Sequence, residues 1–177
     1  VRGGVLEKVA LPRNPLALVQ VVEYLRAFLG GRLGWSAVNG LLIVSGAFCV
    51  FHRETVVAAG GFRADIIGED MELIVRLHRT LSGRGTRYRI TFVPDPVCWT
   101  DAPEDLGTLA RQRKRWHRGL AESLSVNRGL CFARGSGAAG WLAFPYFVVF
   151  ELLSPVIEVG GLLVMALAFA LGMMNGI

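Results

Sequence analysis

Residues 41–70 read LLIVSGAFCVFHRETVVAAGGFRADIIGED, and the punctuation of this stretch decides the expected fold. Leu41 to Phe51 is a nearly continuous apolar run of strand formers, interrupted only at Ser45-Gly46. Such a run is the signature of a buried strand with a break in it. Arg53 to Ala59 is a short helical stretch closed by Gly60-Gly61. A second helix is expected from Gly68 to about Leu81, with Met71, Ile74, Val75 and His78 on one face, and Ser82-Gly83-Arg84-Gly85 breaks it. Arg87 to Val93 alternates, Tyr88, Ile90 and Phe92 against Arg87, Arg89 and Thr91, as a half-exposed strand does; Pro94-Asp95-Pro96 stops it. A long helix follows from about Asp105 to Ser125, acids at its start and bases further on. Strand and helix alternate, so the expected class is α/β.

Outward from this middle the chain becomes more apolar. Asn14-Pro15 reads as N-cap and first turn of a helix carrying Leu16, Val19, Val22, Leu25 and Leu29 at helical spacing, with Gly30-Gly31 ending it. That helix is too short and too charged to span a bilayer; it either lies on a membrane surface or packs on the domain. From Trp141 to Ile177 the only charges are Glu151 and Glu158. Val159 to Met174 has none, and Pro155 can open a helix there. Two apolar segments back to back suggest membrane association; a buried core helix is the alternative. Immediately upstream, Arg111, Arg113, Lys114, Arg115, Arg118, Arg128 and Arg134 face one acid, Glu122. A basic cluster flanking apolar helices stays in the cytoplasm, although a solvated helix face would look the same.

Composition agrees with two unlike parts. The 177 residues are 53% hydrophobic and 19% charged, with net charge +5, and the mean hydropathy is +0.46. Disordered and collagen-like classes are excluded. Cys49, Cys98 and Cys131 are too scattered for a disulfide framework or a metal motif, in keeping with a reducing, cytoplasm-facing environment. Nucleic acid is not an expected partner, since the basic run lacks interleaved aromatics and any reader motif. Gly135 to Gly140 fits G-x-G-x-x-G, but no strand precedes it, and it reads as a flexible linker.

Two constellations offer chemistry. Glu69 and Asp70 stand together at a helix start, where the dipole favours carboxylates and where one could face a cleft as a general base. Gln112, Arg113, Arg115 and Trp116 lie within about one turn of the long helix, placing amide, guanidinium and indole together. Guanidinium suits phosphate oxygens and indole suits the face of a sugar.

Read in order, IVSGA (43–47), FHRETVVAAGGF (51–62), GED (68–70), PD (94–95) and QRKRW (112–116), followed by apolar helices, resemble a membrane-bound family 2 glycosyltransferase. That group contains the cellulose, chitin, hyaluronan and poly-N-acetylglucosamine synthases. The resemblance implies the acceptor-side half of a GT-A, Rossmann-like domain over residues 1–135, followed by interfacial and transmembrane helices over 136–177. It implies Asp70 as catalytic base and Glu69 as the middle of the family's T-E-D triplet, whose threonine is Gly68 here. Gln112, Arg115 and Trp116 match Q-x-x-R-W, which contacts donor diphosphate and acceptor sugar. Ser45, Gly46 and Ala47 take the place of the acceptor-side C-G-S element, without its cysteine, so a poly-N-acetylglucosamine-synthase-like or an uncharacterised branch resembles this chain more closely than the cellulose synthases do.

The implied reaction is inverting transfer from a nucleotide sugar to a glycan or lipid-linked acceptor. Its setting is the cytoplasmic face of a bacterial-type inner membrane, with membrane lipid as a further partner. The implied cofactor is a divalent cation, Mg²⁺ or Mn²⁺. The D-x-D element that holds it in such enzymes is absent from this sequence, so the nucleotide-binding half is expected upstream of Val1, no metal ligand is expected within these residues, and this part alone is expected to be inactive. The competing expectation is a membrane-anchored, non-catalytic module that grips anionic lipid through the basic helix.

Overall fold

The computed structural model describes residues 10–95 and 100–173; Pro96, Cys98 and Met174, each used above, lie outside them. Among the described residues, seven α-helices, joined in places by π-helical and 3₁₀ turns, make up the regular structure. They are α1 (Pro15–Tyr24), α2 (Arg32–Ala37), α3 (Arg53–Ala58), α4 (Glu69–Gly83), α5 (Leu106–Val126), α6 (Phe144–Tyr146) and α7 (Ser154–Ala170).

Helix starts obey local rules. Asn14 Oδ1 accepts from the Leu16 and Ala17 amides at 2.9 and 3.4 Å, with Pro15 in the first turn. Asp105 caps α5 by accepting from Thr108 N at 2.8 Å. Helix ends obey tertiary ones. The first helix does not stop at Gly30-Gly31 but widens into a π-helical segment, Leu25–Gly31, and continues as α2. Two helical glycines cost roughly 1 kcal/mol each; burial of Arg32 and Ser36 and packing of Trp35 on the core offset that cost beyond them.

The α/β expectation, half of a Rossmann-like GT-A domain, is overturned: no β-strand occurs among the described residues. Leu41 and Leu42 are fully buried as the apolar run implies, but the chain turns at Gly46-Ala47 and Ser45 to Val50 are exposed. A strand exists only through its ladder, and here side chains satisfy the backbone instead. Asn39 Nδ2 donates to Tyr88 O at 3.2 Å while its Oδ1 accepts from Ile90 N at 2.9 Å. Ser36 Oγ accepts from Phe92 N at 2.9 Å. His78 Nε2 donates to Leu41 O at 3.0 Å, leaving Nδ1 to accept from the Tyr88 hydroxyl at 2.7 Å. Two extended segments are thereby stitched to α2 and α4 rather than to each other.

The centre of the domain is α4, whose residues from Met71 to His78 are all buried. Within it Glu72, fully buried, binds Arg76 at 2.9 Å and accepts from Asn127 Nδ2 at 3.2 Å. Arg76 also donates to the carbonyls of Ala59 and Gly61, pinning the glycine turn after α3. A buried charge is tolerated only when paired and bonded in this way. Leu42, Met71, Val75, Leu120, Leu124 and Leu130 form one apolar cluster that also takes in Ala139, Ala143, Phe144 and Phe147. The glycine-rich segment before them is no loose linker: Ser136, Ala139 and Gly140 are buried, and Gly140 packs against the Leu130 carbonyl.

Beyond Leu152 the chain bends by 51° into α7. Pro155 lies in its first turn, none of its residues is buried, and Leu162, Leu163, Val164 and Phe169 are all more than half exposed. No single described helix is long and apolar enough to cross a membrane, but Ala139–Leu152 and Ser154–Ala170 together reach that length as a bent pair.

Candidate active site

The start of α4 is built against α5. Gly68, the N-cap, has no side chain to offer; Ser123 Oγ donates to its carbonyl at 3.2 Å, and Glu122 Oε2 accepts from the preceding Ile67 N at 3.0 Å. Arg118 completes this tie to Glu122 at 2.8 Å, and the bonds from Ile67 and Arg118 hold the Glu122 carboxyl below its ordinary range. The two helices meet backbone to backbone. A Cβ on Gly68 would stand 3.1 Å from Gly119 Cα, and one on Gly119 would stand 3.0 Å from Gly68 Cα. A threonine at position 68, as in the family's triplet, would force this crossing to open by a few tenths of an ångström.

Two residues on, Asp70 is half-buried, its Oδ1 accepting from Met71 N at 2.8 Å. Its Oδ2 faces Gly46: a Cβ there would lie 2.9 Å away. The structure thus brings Asp70 and the Ser45-Gly46-Ala47 segment together, as contact between backbone and carboxylate. Glu69 is exposed, as are Ser45 and Ala47. Cys49 Sγ donates to Ser45 O at 2.9 Å and tightens the turn. Partial burial, with the Asp70 charge beside it, pushes the Cys49 thiol upward.

Along α5, Gln112, Arg115 and Trp116 precede Gly119 at spacings of seven, four and three residues. They therefore extend the stripe that touches the start of α4. Gln112 is half-buried and its Oε1 has no partner among the described residues. Arg113 makes a bidentate pair with Glu23 at 2.6 and 2.5 Å and lies 5.0 Å over the Trp116 ring. Arg115 is exposed and makes no side-chain hydrogen bond or ion pair among the described residues. Trp116, 38% exposed, packs 6.4 Å from both Tyr24 and Phe28, which are themselves stacked at 4.7 Å. Neither Glu69 nor Asp70 bonds directly to Gln112, Arg113, Arg115 or Trp116 among the described residues.

Sequence reasoning missed several participants. Glu23, Tyr24 and Phe28 lie off the apolar stripe read in the first helix, whereas the structure uses them to hold Arg113 and Trp116. Gly119 could have been found, since it repeats the Q-x-x-R-W spacing by one further turn. Arg32 gave no signal, because the helix was expected to end before it. It is 8% exposed, its guanidinium lies 4.2 Å over Phe28 and 5.9 Å from Phe92, and burial lowers its pKa against the opposing charges of Cys49 and Asp70.

No group of three or more His, Cys, Asp or Glu side chains that could hold a metal ion converges among the described residues. A shallow cavity of about 260 Å³ lies between α3 and the end of α4, lined by residues such as His52, Thr55, Thr80 and Arg84. It contains none of the expected site residues.

The family model for glycosyl transferase family group 2 matches residues 12–176. Poly-beta-1,6-N-acetyl-D-glucosamine synthase of Staphylococcus aureus strain COL is 34% identical over 109 residues, 62% of this chain and 25% of that protein. The synthase of the same name from Staphylococcus epidermidis is 29% identical over 109 residues, with the same coverage. The match spans about a quarter of the length of these curated relatives. No solved structure matches the chain.

Proposed function

The chain belongs to glycosyl transferase family group 2, and from that membership we propose that the protein of which these residues are part transfers a sugar from a nucleotide-sugar donor to a glycan or lipid-linked acceptor, building a polysaccharide. Acetamido sugars are the substrate class favoured by the relatives' names. The observation that carries the proposal is the position of Asp70. Its Oδ2 faces the Ser45-Gly46-Ala47 turn, at the helix start that the Gly68–Gly119 crossing seats on the Q-x-x-R-W stripe of α5.

In the proposed step Asp70 Oδ2 takes the proton of an acceptor hydroxyl. The hydroxyl oxygen bonds the anomeric carbon from the face opposite the leaving group, and the nucleoside diphosphate departs with the electron pair, giving inversion. Arg115, exposed and unengaged among the described residues, is the group on this stripe suited to the developing diphosphate charge. Trp116, with Tyr24 and Phe28 behind it, offers an indole edge and face to the acceptor ring. The divalent cation of the proposal belongs to residues other than those described.

The setting we propose is the cytoplasmic face of a bacterial-type inner membrane, supported by the exposed apolar α7 beyond the 51° bend and by the basic α5 before it. The non-catalytic, lipid-gripping alternative is weakened by Arg113, whose guanidinium is engaged by Glu23 and Trp116 and so is not offered to lipid. The test is an Asp70→Asn variant of the full-length protein in membranes. It should bind donor and transfer nothing; substantial turnover would remove Asp70 from this role.

A further inference from the structure

Helix α1 is fastened to α5 by its polar face. Its apolar residues Val19, Val22 and Leu25 are each more than half exposed, whereas Gln20 is 2% exposed. Gln20 Nε2 donates to Pro103 O at 2.8 Å, and Asn14 Nδ2 donates to Glu104 O at 3.0 Å. These bonds tie α1 to the chain just before α5 begins. One turn beyond Gln20, on the same face, Glu23 and Tyr24 reach α5 itself.

What they reach is Arg113 and Trp116. Both Glu23 carboxylate oxygens accept from Arg113, at 2.6 and 2.5 Å, so the guanidinium is gripped at two points and its plane is fixed. That guanidinium lies 5.0 Å over the Trp116 ring, while Tyr24 and Phe28 each stand 6.4 Å from it. A cation and two rings hold the indole in place, and the residue is still 38% exposed. The Glu23–Arg113 pair is itself about one-third exposed, so it contributes little to folding. What it fixes is a direction. Arg113 has its outer nitrogens engaged by Glu23, unlike Arg115 on the same helix, which makes no side-chain hydrogen bond or ion pair among the described residues.

We propose that Glu23 is a positioning residue for acceptor binding: acting through Arg113, it sets the angle at which the Trp116 indole meets the acceptor sugar. The proposal rests on the reading of Trp116 as the acceptor platform. Arg113 is then a brace and not a diphosphate ligand, which gives it a different task from Arg115 within one motif. A sugar ring gains from an indole only when it can lie against it, so a ring that rocks must first be ordered by the acceptor it binds. That ordering cost falls on the acceptor and leaves the donor untouched.

The test uses the full-length protein in membranes, with UDP-N-acetylglucosamine as donor and a β-1,6-linked N-acetylglucosamine oligosaccharide as acceptor. Glu23→Gln should raise the acceptor KM about three- to tenfold, the cost of ordering one freed side chain, and leave the donor KM within about twofold. Arg113→Gln should do the same, and the double variant should be no worse than either single one, because the pair acts as a unit. Glu23→Asp, which keeps the charge, should fall between native and Glu23→Gln. Apart from turnover, Glu23→Gln should alter the tryptophan emission, and the difference should vanish in a Trp116→Phe background. A native acceptor KM in Glu23→Gln, single effects that multiply in the double variant, or a donor KM that rises in Arg113→Gln overturns the proposal. Trp116→Ala run alongside keeps the two readings apart. If it raises the acceptor KM while Glu23→Gln is native, only the role of Glu23 falls; if its acceptor KM is native, the platform falls first and Glu23 with it.

Discussion

The backbone of Gly46 lies against the Asp70 carboxylate, so closely that a methyl group on its Cα would stand 2.9 Å from Oδ2. With Oδ1 taken by the Met71 amide at 2.8 Å, the carboxylate has one free oxygen and one direction in which to use it. The turn at positions 45–47 therefore walls one side of the Asp70 carboxylate.

Gly46→Ala pushes the carboxylate aside or lifts the turn, and either displaces the base by a fraction of an ångström to an ångström. Turnover should fall on the order of 10²-fold, with donor affinity unchanged in equilibrium binding. Native turnover in this variant would show that the approach of Gly46 to Asp70 has no part in catalysis.

Gly68→Thr restores the family's threonine, and Gly119→Ala adds a single methyl. Both place a Cβ 3.0 to 3.1 Å from opposing backbone, which cannot swing away as a side-chain tip can. Each should lower stability by about 1–3 kcal/mol, seen as a lower Tm in detergent. The double variant should lose less than the sum, because the crossing is already open once either is changed.

His78 supplies a pH signature. Burial holds its pKa down to about 4, against an ordinary value of 6.5. Below 6.5 the unfolded chain takes up a proton that the folded chain refuses. Its contribution to stability is therefore full above pH 6.5, declines as pH falls toward 4, and levels below, a loss of about 3 kcal/mol at most. His78→Gln does not titrate, so the stability gap between native and variant protein, from urea unfolding, should narrow from pH 7 to pH 4.5. A gap independent of pH would contradict a neutral, buried His78.

The basic helix separates enzyme from lipid anchor. Lys114 is exposed and should be replaceable by alanine with native turnover, whereas Arg115→Gln should lose most of it. Glu23→Gln frees Arg113 from a half-exposed pair and should move stability by less than about 1 kcal/mol, yet slow turnover by loosening Trp116. Equal effects of Lys114 and Arg115 on vesicle binding, with no effect on transfer, would favour the anchoring role.

Much of this was legible in the chain. Asn14-Pro15 and Asp105 announce their helices because caps act within three residues. The GED triplet and Q-x-x-R-W were visible because each motif is contiguous on one helix. The error lay in the extended segments. An apolar run and an alternating run are what a strand looks like, but a strand is decided by its neighbour, and Asn39, Ser36 and His78 took the neighbour's place. The helix that outran Gly30-Gly31 was decided in the same way, by what Arg32, Trp35 and Ser36 meet further on. Arg32 itself stayed invisible, since nothing local distinguishes a cation that will stack on phenylalanine from one that will face water.

Met71 to His78 are enclosed on every side, and this divides the site into an immutable and a variable part. Rotating α4 by a single residue would swing Asp70 through about 100° and bring every buried neighbour into collision. Asp70, the proposed base, can hardly be repositioned by gradual sequence change. Ala47 to Val50, and exposed α5 positions such as Lys114, lie outside that enclosure and face solvent. Sequence change within this architecture is therefore channelled into those exposed positions, while Asp70, the proposed base, stays where the enclosed helix sets it.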